Sequence, residues 1–466
     1  MHIDTEALRA KYRAERDKRL RGDGINKYIE LDSHVLVDQY ADPTFSRERV
    51  EKNVEFLIVG GGWGGQLIAA KMQKAGISDL LIVEKAGDFG GVWYWNRYPG
   101  AACDTEAMRG AKNCGRHAQA IGKHLGLYEK ALFQTEVLAL EWDEATQWIT
   151  AKFVATSSGP LHNPKLPSIL GISNFKGHMF HMTRWDYNYT GGDMTGGLNN
   201  IGDKHIEIIG TKPEHAATHG LNKMNQIRAR TNSFVKDPAT AEKWKPWYNQ
   251  FCKQLCFHND YLLAYNRPNI MLVDINGKGV ERITEKGIVT NGQGYKLDYI
   301  IYATGFEYAV FYSNRSTMTV HVRNGVTLND KWAKNSASAL HDFHSRGFPN
   351  LFTVSLLQSG LTPNLTHMLT EQVEHIAWIV AQCHQRKINI MEVTEEAEQK
   401  WTQTIVELGM LHAGFIKECT PGYYNNEGKA SELVLRNSTY GLGSSALMKL
   451  LDEWRKAGTV EGLECK

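Results

Sequence analysis

The stretch from Val54 to Glu84 constrains this chain more than any other. Residues 54–60 (VEFLIVG) form a short, nearly continuous apolar run ending in glycine, the pattern of a strand buried on both faces of a parallel sheet. Gly60, Gly62 and Gly65 then fit G-x-G-x-x-G, Gln66 to Ala75 carries helical spacing with Gly76 as its stop, and Leu80 to Val83 reads as a second buried strand. Each glycine has a physical task. Gly60 makes the tight turn, Gly62 lets backbone N–H groups approach a diphosphate, and Gly65 lets the helix close on the strand. Glu84 ends the second strand 19 residues after Gly65, where a carboxylate accepts hydrogen bonds from a ribose diol and disfavours a 2′-phosphate. A glycine loop alone is only a turn. Strand, loop, helix, strand and acid in that order predict a dinucleotide site.

The rest of the chain extends this into an α/β protein. Apolar runs recur at Phe153–Thr156, His205–Gly210, Ile270–Val273, Tyr299–Thr304 and Leu351–Val354, each predicting a strand. Residues 368–384, 393–412 and 443–456 have the apolar faces of helices, and residues 5–22 predict a solvated surface helix. Residues 186–203, rich in Gly, Asn and Asp, predict a loop between two lobes. A glycine ending a strand beside a nucleotide is where such folds let backbone touch ligand, so Tyr302 to Gly305 (YATG) is expected to complete the first domain from across an insertion.

Composition closes off other classes. With 466 residues, 42% hydrophobic, 22% charged and a net charge of +2, the chain holds two or three ordinary domains and has no nucleic-acid or disordered signature. It has no apolar run long enough to cross a membrane, and a cytoplasmic location is expected. Seven scattered cysteines argue against a disulfide framework, and Cys252, Cys256 and His258 fall short of a tetrahedral metal set, so no metal is expected.

Residues 89–104 (FGGVWYWNRYPGAACD) resemble the FAD segment of Baeyer-Villiger monooxygenases, in which GG-x-WYWNRYPG and an aspartate follow the first strand pair. Phe175, Gly177, His181 and Trp185 (FKGHMFHMTRWD) resemble that family's F-x-G-x-x-x-H-x-x-x-W fingerprint, with Asp186 where proline is common. YATGFE (302–307), HSRGFPNLF (344–352) and CTPGYYNNEGK (419–429) extend the resemblance over most of the chain. The alternative for WYWNRYPG on its own is an aromatic core cluster closed by a turn, and an isolated His181 and Trp185 read first as buried core rings.

The resemblance implies a Rossmann-like FAD-binding domain, a second, reduced nucleotide-binding lobe and C-terminal helices. It implies FAD as cofactor, NADPH as reductant, and a small-molecule substrate, an apolar ketone, converted to an ester. Gly60, Gly62, Gly65, Glu84, Gly90, Gly91, Trp93, Asp104, Val137 and Gly305 would contact FAD. Asp104 and His181 would be the catalytic pair. The domains implied are an N-terminal extension (1–50), the FAD domain in two parts (51–185 and 298–466) and an NADPH-type lobe between them (186–297).

Three departures stand against that pattern. After the strand ending at Gly210, Lys212, Pro213 and Glu214 replace the second glycine motif, and proline removes an N–H donor from an anion cradle. Only 23 residues separate Gly210 from Phe234, where the family pattern resumes, whereas one βαβ unit takes roughly 30. The segment after CDTEA (103–107) skips a stretch that lines the family's active site, and in FCKQLCF (251–257) Gln254 takes the place of the arginine that stabilises the reacting anion. Lys253 is the neighbouring cation that could substitute. The expectation is an FAD-binding flavoprotein whose oxygenation apparatus is incomplete; the alternatives are a redox-neutral isomerase, cyclase or lyase on the same scaffold, or a non-catalytic relative.

Overall fold

Short apolar runs build two parallel sheets, and the order in which they pair decides where a ligand crevice opens. The computed structural model describes residues 4–29, 38–103, 111–142, 149–159, 161–202, 204–210, 220–253, 260–306, 316–322, 325–355, 357–360, 362, 364–429 and 435–466. Helix α1 (Thr5–Asp17) precedes β1 (Asn53–Val59), α2 (Trp63–Lys74), β2 (Leu80–Val83), β3 (Ala131–Leu132) and β4 (Thr150–Thr156). Then come β5 (His178–His181), β6 (Ile206–Gly210), β7 (Tyr299–Ala303) and β8 (Leu351–Thr353). The long helices α3 (Leu365–Gln385), α4 (Glu395–Glu418) and α5 (Ser444–Ala457) follow.

The first sheet runs β3-β2-β1-β4-β8, all parallel, with Val59 opposite both Val83 and Thr156. The winding direction reverses between β1 and β4, so a crevice opens at the C-terminal ends of those strands. Alternation along β1 sends Phe56 and Ile58 to one face and Leu57 and Val59 to the other. The Phe56 face packs with Phe153 and Phe352 against α2, α3, α4 and α5 through residues such as Ile68, Ile376, Ile405 and Leu447. The opposite face meets Met318, Val320 and Leu328.

The second sheet is β5-β7-β6, also parallel, with Tyr302 opposite His181 on one side and Ile209 on the other. The YATG strand is therefore a member of this sheet, and the first sheet is completed from the far side of the insertion by β8 instead. An antiparallel meander of Arg282–Thr284, Gly287–Thr290 and Gln293–Lys296 packs beside it through Ile283 and Ile288.

Local pattern and structure part in three places. Ile270–Val273 forms no strand: Met271 is 69% exposed, and these four residues have no partner strand among the described residues. Helix α1 is more than a solvated surface element, because it buries Tyr12, whose hydroxyl accepts from Arg228 Nη1 at 3.0 Å. The 186–203 loop contains a helical turn, Tyr187–Thr190, capped by the Asp186 carboxylate through Tyr189 N–H at 3.1 Å. Among the described residues no helix is long and apolar enough to cross a membrane.

Candidate functional site

The glycine loop sits at the crevice between β1 and β4. Gly60 has φ 109° and donates to Val83 O at 2.8 Å; a Cβ there would lie 2.5 Å from Ser157 O at the end of β4. A Cβ at Gly65 would lie 1.9 Å from Gly60 O, which no side chain tolerates. Gly62 faces Gly91 backbone to backbone: a Cβ on Gly91 would come 2.8 Å from Gly62 Cα, and one on Gly62 3.3 Å from Gly91 Cα. Helix α2 begins at Trp63 with no side-chain cap, so its first-turn N–H groups are left to a ligand or solvent.

Glu84 does more than await a ribose. Its Oε2 accepts the Gly61 N–H and its Oε1 the Ala86 N–H, so the carboxylate fastens the glycine loop to the end of β2. Burial pushes its pKa up, with the Ala86 and Gly61 N–H groups opposing. Each oxygen keeps a further acceptor site for a diol. The same strand end holds the next segment, through Gln134 N–H to Ala86 O at 2.9 Å and Thr135 N–H to Glu84 O at 3.0 Å. Half-buried Val137 follows two residues later.

The structure thus gathers Gly60, Gly62, Gly65, Glu84, Gly90 and Gly91 into one cluster, with Trp93 on the short helix Val92–Trp95 directly after it. Gly305 belongs to the other sheet: it follows β7 with φ 86° and accepts Lys165 N–H at 3.0 Å. Asp104, Lys212, Pro213, Glu214 and Gln254 lie outside the described residues.

His181 ends β5 with only 1% of its surface exposed. Its Nδ1 accepts the Thr183 N–H at 3.2 Å, which places the ring proton on Nε2. Burial lowers its pKa to about 3; the Arg184 charge adds to this and the Gly305 backbone opposes it. The ring is neutral at ordinary pH, a donor rather than a cation.

Sequence reasoning missed the layer that joins His181 to the aromatic segment. Arg184, 2% exposed, lies 3.9 Å over the Trp95 ring and donates to the Thr183 and His162 carbonyls at 3.2 and 3.3 Å. Burial pulls its pKa down to about 10, opposed by Tyr40, Asp38 and Tyr94. Arg97 sits between the rings of Tyr40 and Tyr94 at 4.3 Å from each, and Tyr94 donates to Asp38 at 2.8 Å. Tyr40 in turn donates to Trp185 O at 3.3 Å. The WYWNRYPG cluster is therefore cation-bearing and tied to the 181–187 turn, not a plain apolar core. Basic residues interleaved with aromatics at 97 and 184 were the available signal. Asp186, besides its cap, accepts from or pairs with His178 Nε2 at 3.0 Å, a use that proline there would not permit.

Lys253 is committed elsewhere: its Nζ donates to Pro421 O at 2.7 Å. Beside it, Cys252 is disulfide-bonded to Cys419, a pairing of residues 167 apart that corrects the reading of the cysteines as scattered thiols. Spacing could not show it, because the pair forms only when the mid-chain and C-terminal segments dock.

Comparison with known proteins agrees with this geometry. The NAD(P)-binding Rossmann-like domain matches residues 58–120. Baeyer-Villiger monooxygenase ATR8 of Stachybotrys chlorohalonatus is 36% identical, covering 99% of this chain and 94% of that protein. That alignment spans 590 positions against the 466 residues of this chain, so the missing material falls in internal gaps. The polycyclic ketone monooxygenase from the thermophilic fungus Thermothelomyces thermophila superimposes with a TM-score of 0.90 at 28% identity, covering 99% of both chains. OTEMO in complex with FAD and NADP shares the fold, with a TM-score of 0.75 at 20% identity over 89% of this chain and 99% of that one.

Proposed function

This chain belongs to the Baeyer-Villiger monooxygenase family, and we propose that it holds FAD at the loop between β1 and α2 while its nicotinamide site is reduced. The packing of the glycine loop carries the reading: the 1.9 Å approach at Gly65 and the Gly62–Gly91 contact leave backbone, and no side chain, facing the crevice. FAD, when bound, supplies the redox chemistry by which this class inserts oxygen into a ketone at the expense of NADPH. The chain's own residues bind and orient. The uncapped N–H groups of α2 take the diphosphate charge, Glu84 takes the ribose, and Gly90, Gly91, Trp93, Asp104, Val137 and Gly305 complete the contacts. His181 offers its Nε2–H as a neutral donor, and Asp104 is the carboxylate proposed for the same chemistry.

In this reading residues 51–185 and 298–466 form the FAD domain, which β8 supports by joining the sheet of β1, while β5 and β7 of those ranges pair with β6 in the second sheet. Residues 186–297 form the reduced nicotinamide lobe, and residues 1–50 an extension. The substrate is a small, apolar ketone, with no nucleic-acid partner, and the location is cytoplasmic. A redox-neutral reaction is the second reading, favoured by Lys212 and His215 standing where a second glycine motif would place glycine.

Anaerobic reduction tests both. The purified protein should be yellow, release FAD on denaturation, and bleach with dithionite but not within seconds with NADPH. Rapid bleaching by NADPH would show a working nicotinamide site, and colourless protein that takes up no added FAD would remove the glycine loop from the function.

A further inference from the structure

We propose that Cys252 and Cys419 form a reversible thiol–disulfide latch that fastens the mid-chain lobe to the C-terminal segment 419–429. The latch stands apart from the cofactor reading, since no residue of the glycine loop takes part.

The two cysteines lie with Cα atoms 5.1 Å apart, 2% and 4% exposed, in a small apolar cluster with Met224, Ile227 and Tyr248. Lys253 reinforces the junction from the next position through Pro421 O. The segment beyond Cys419 is folded on itself by one side chain. Asn425 Nδ2 donates to the Cys419 and Thr420 carbonyls, both at 3.2 Å, while its Oδ1 accepts from Gly422 N–H at 2.9 Å and Gly428 N–H at 3.0 Å. Glu427 then pairs with Lys27 at 2.7 Å and Lys165 at 3.7 Å, and Lys165 is the residue bonded to Gly305. The C-terminal segment therefore touches three parts of the chain, and only the mid-chain contact is covalent.

Two observations mark this bond as a latch rather than a permanent staple. Backbone strain adjoins it: Phe251, next to Cys252, has φ 67° and is 54% exposed, and farther along the fastened segment Asn426 and Glu427 follow one another at φ 48° and 56°. A bulky residue held left-handed costs free energy that opening the bond can release. In addition, Cys103, Cys114, Cys383 and Cys465 lie outside the disulfide, which is not the pattern of a disulfide scaffold. Opening proceeds by exchange with a small-molecule thiol such as glutathione. The thiolate attacks one sulfur and the Cys252–Cys419 bond breaks; a second thiol displaces the mixed disulfide. Two protein thiols and one small-molecule disulfide result, and closing is the reverse.

The test uses the full chain under native conditions across a series of reduced-to-oxidised glutathione ratios. Acid quenching and alkylation are followed by peptide mass spectrometry, with amide exchange read in parallel. The expected result is a linked pair of Cys252 and Cys419 peptides at the oxidised end, converting to two alkylated peptides at the reduced end. Amides in 419–429 should then exchange about tenfold faster or more. Cys252→Ser and Cys419→Ser should each reproduce the reduced exchange pattern, and Cys465→Ser should not. Absence of the linked peptide, a linkage that yields only after denaturation, or exchange that ignores the bond would each overturn the proposal; native reduction of the wild type keeps the test decisive if a serine variant fails to fold.

Discussion

The ends of β1 and β6 make an instructive pair. Each is a short parallel strand rich in isoleucine or valine that stops at a glycine, Gly60 in one and Gly210 in the other. After Gly60 the chain places Gly62 and Gly65; after Gly210 it places Lys212 and His215 at the same offsets, with Pro213 between them. The first strand lies inside a five-stranded sheet, whereas β6 edges a three-stranded one. The difference teaches that the strand-terminal glycine is the cheap part of such a site. The costly part is the third glycine, because only there does the helix press on the turn it starts from.

The sharpest way to break the comparison is therefore Gly65→Ala. The added Cβ would meet Gly60 O at 1.9 Å, so the loop or the start of α2 must move, at about 1–3 kcal/mol in stability. The expected outcome is loss of flavin, read as the ratio of absorbance near 450 nm to that at 280 nm, and a lowered melting temperature. Gly62→Asp should lose flavin as completely, with a smaller change in melting, since it sets a charge against the diphosphate while its Cβ meets Gly91 Cα at 3.3 Å, a tight contact but far milder than the 1.9 Å at Gly65. Full flavin content in both variants would remove the loop from the site.

What was legible before the structure follows the same physics. The strands at 53–59, 80–83, 206–210, 299–303 and 351–353 and the three C-terminal helices announce themselves through local apolar pattern. Which strands pair does not: β8 lies beside β4 and β7 beside β5 because of packing between segments far apart in the chain. Glu84 reads from its spacing as an acid expected at a ribose, but its hold on Gly61 and Ala86 depends on loop geometry that no spacing encodes. The Arg184–Trp95 stack and the Cys252–Cys419 bond were hidden for the same reason.

Acid acts on buried histidines beside both sheets. On the first-sheet side, His341, His344 and His375 are buried, with His341 and His375 ring centroids 5.4 Å apart. Burial lowers the pKa to about 4 in His341 and about 3 in His344, and well below the usual value in His375. The second sheet has His181 at about 3. Each is neutral when folded and titrates near 6.5 when unfolded, so the unfolded state binds more protons between those limits. Stability is then full above pH 6.5 and falls toward pH 4, by about 1.4 kcal/mol per pH unit for each ring. Asp342 and Glu84, raised by burial, act in the opposite sense, favouring the folded state at low pH. With four rings against two carboxyls, the melting temperature should drop between pH 6.5 and 5, and His344→Gln should flatten that slope more than it shifts the melting point at pH 8. A melting temperature independent of pH over this range would mean the rings are charged or exposed.

The smallest effect expected is from Gln254→Arg. It restores a fixed cation where the family pattern has one, while the neighbouring Lys253 donates to Pro421 O. A cation aimed at a developing anion is worth on the order of 10²–10³ in rate when the anion forms. On the proposed reading that anion forms only after reduction by NADPH, and the sequence after Gly210 has Lys212 and Pro213 where a glycine cradle is needed. The single change should leave the rate of NADPH bleaching within about twofold of the parent and yield no ester, because it acts after the step that limits. If Gln254→Arg alone forms ester at a vigorous rate, the two strand ends differ less in function than in sequence, and the defect lies at residue 254.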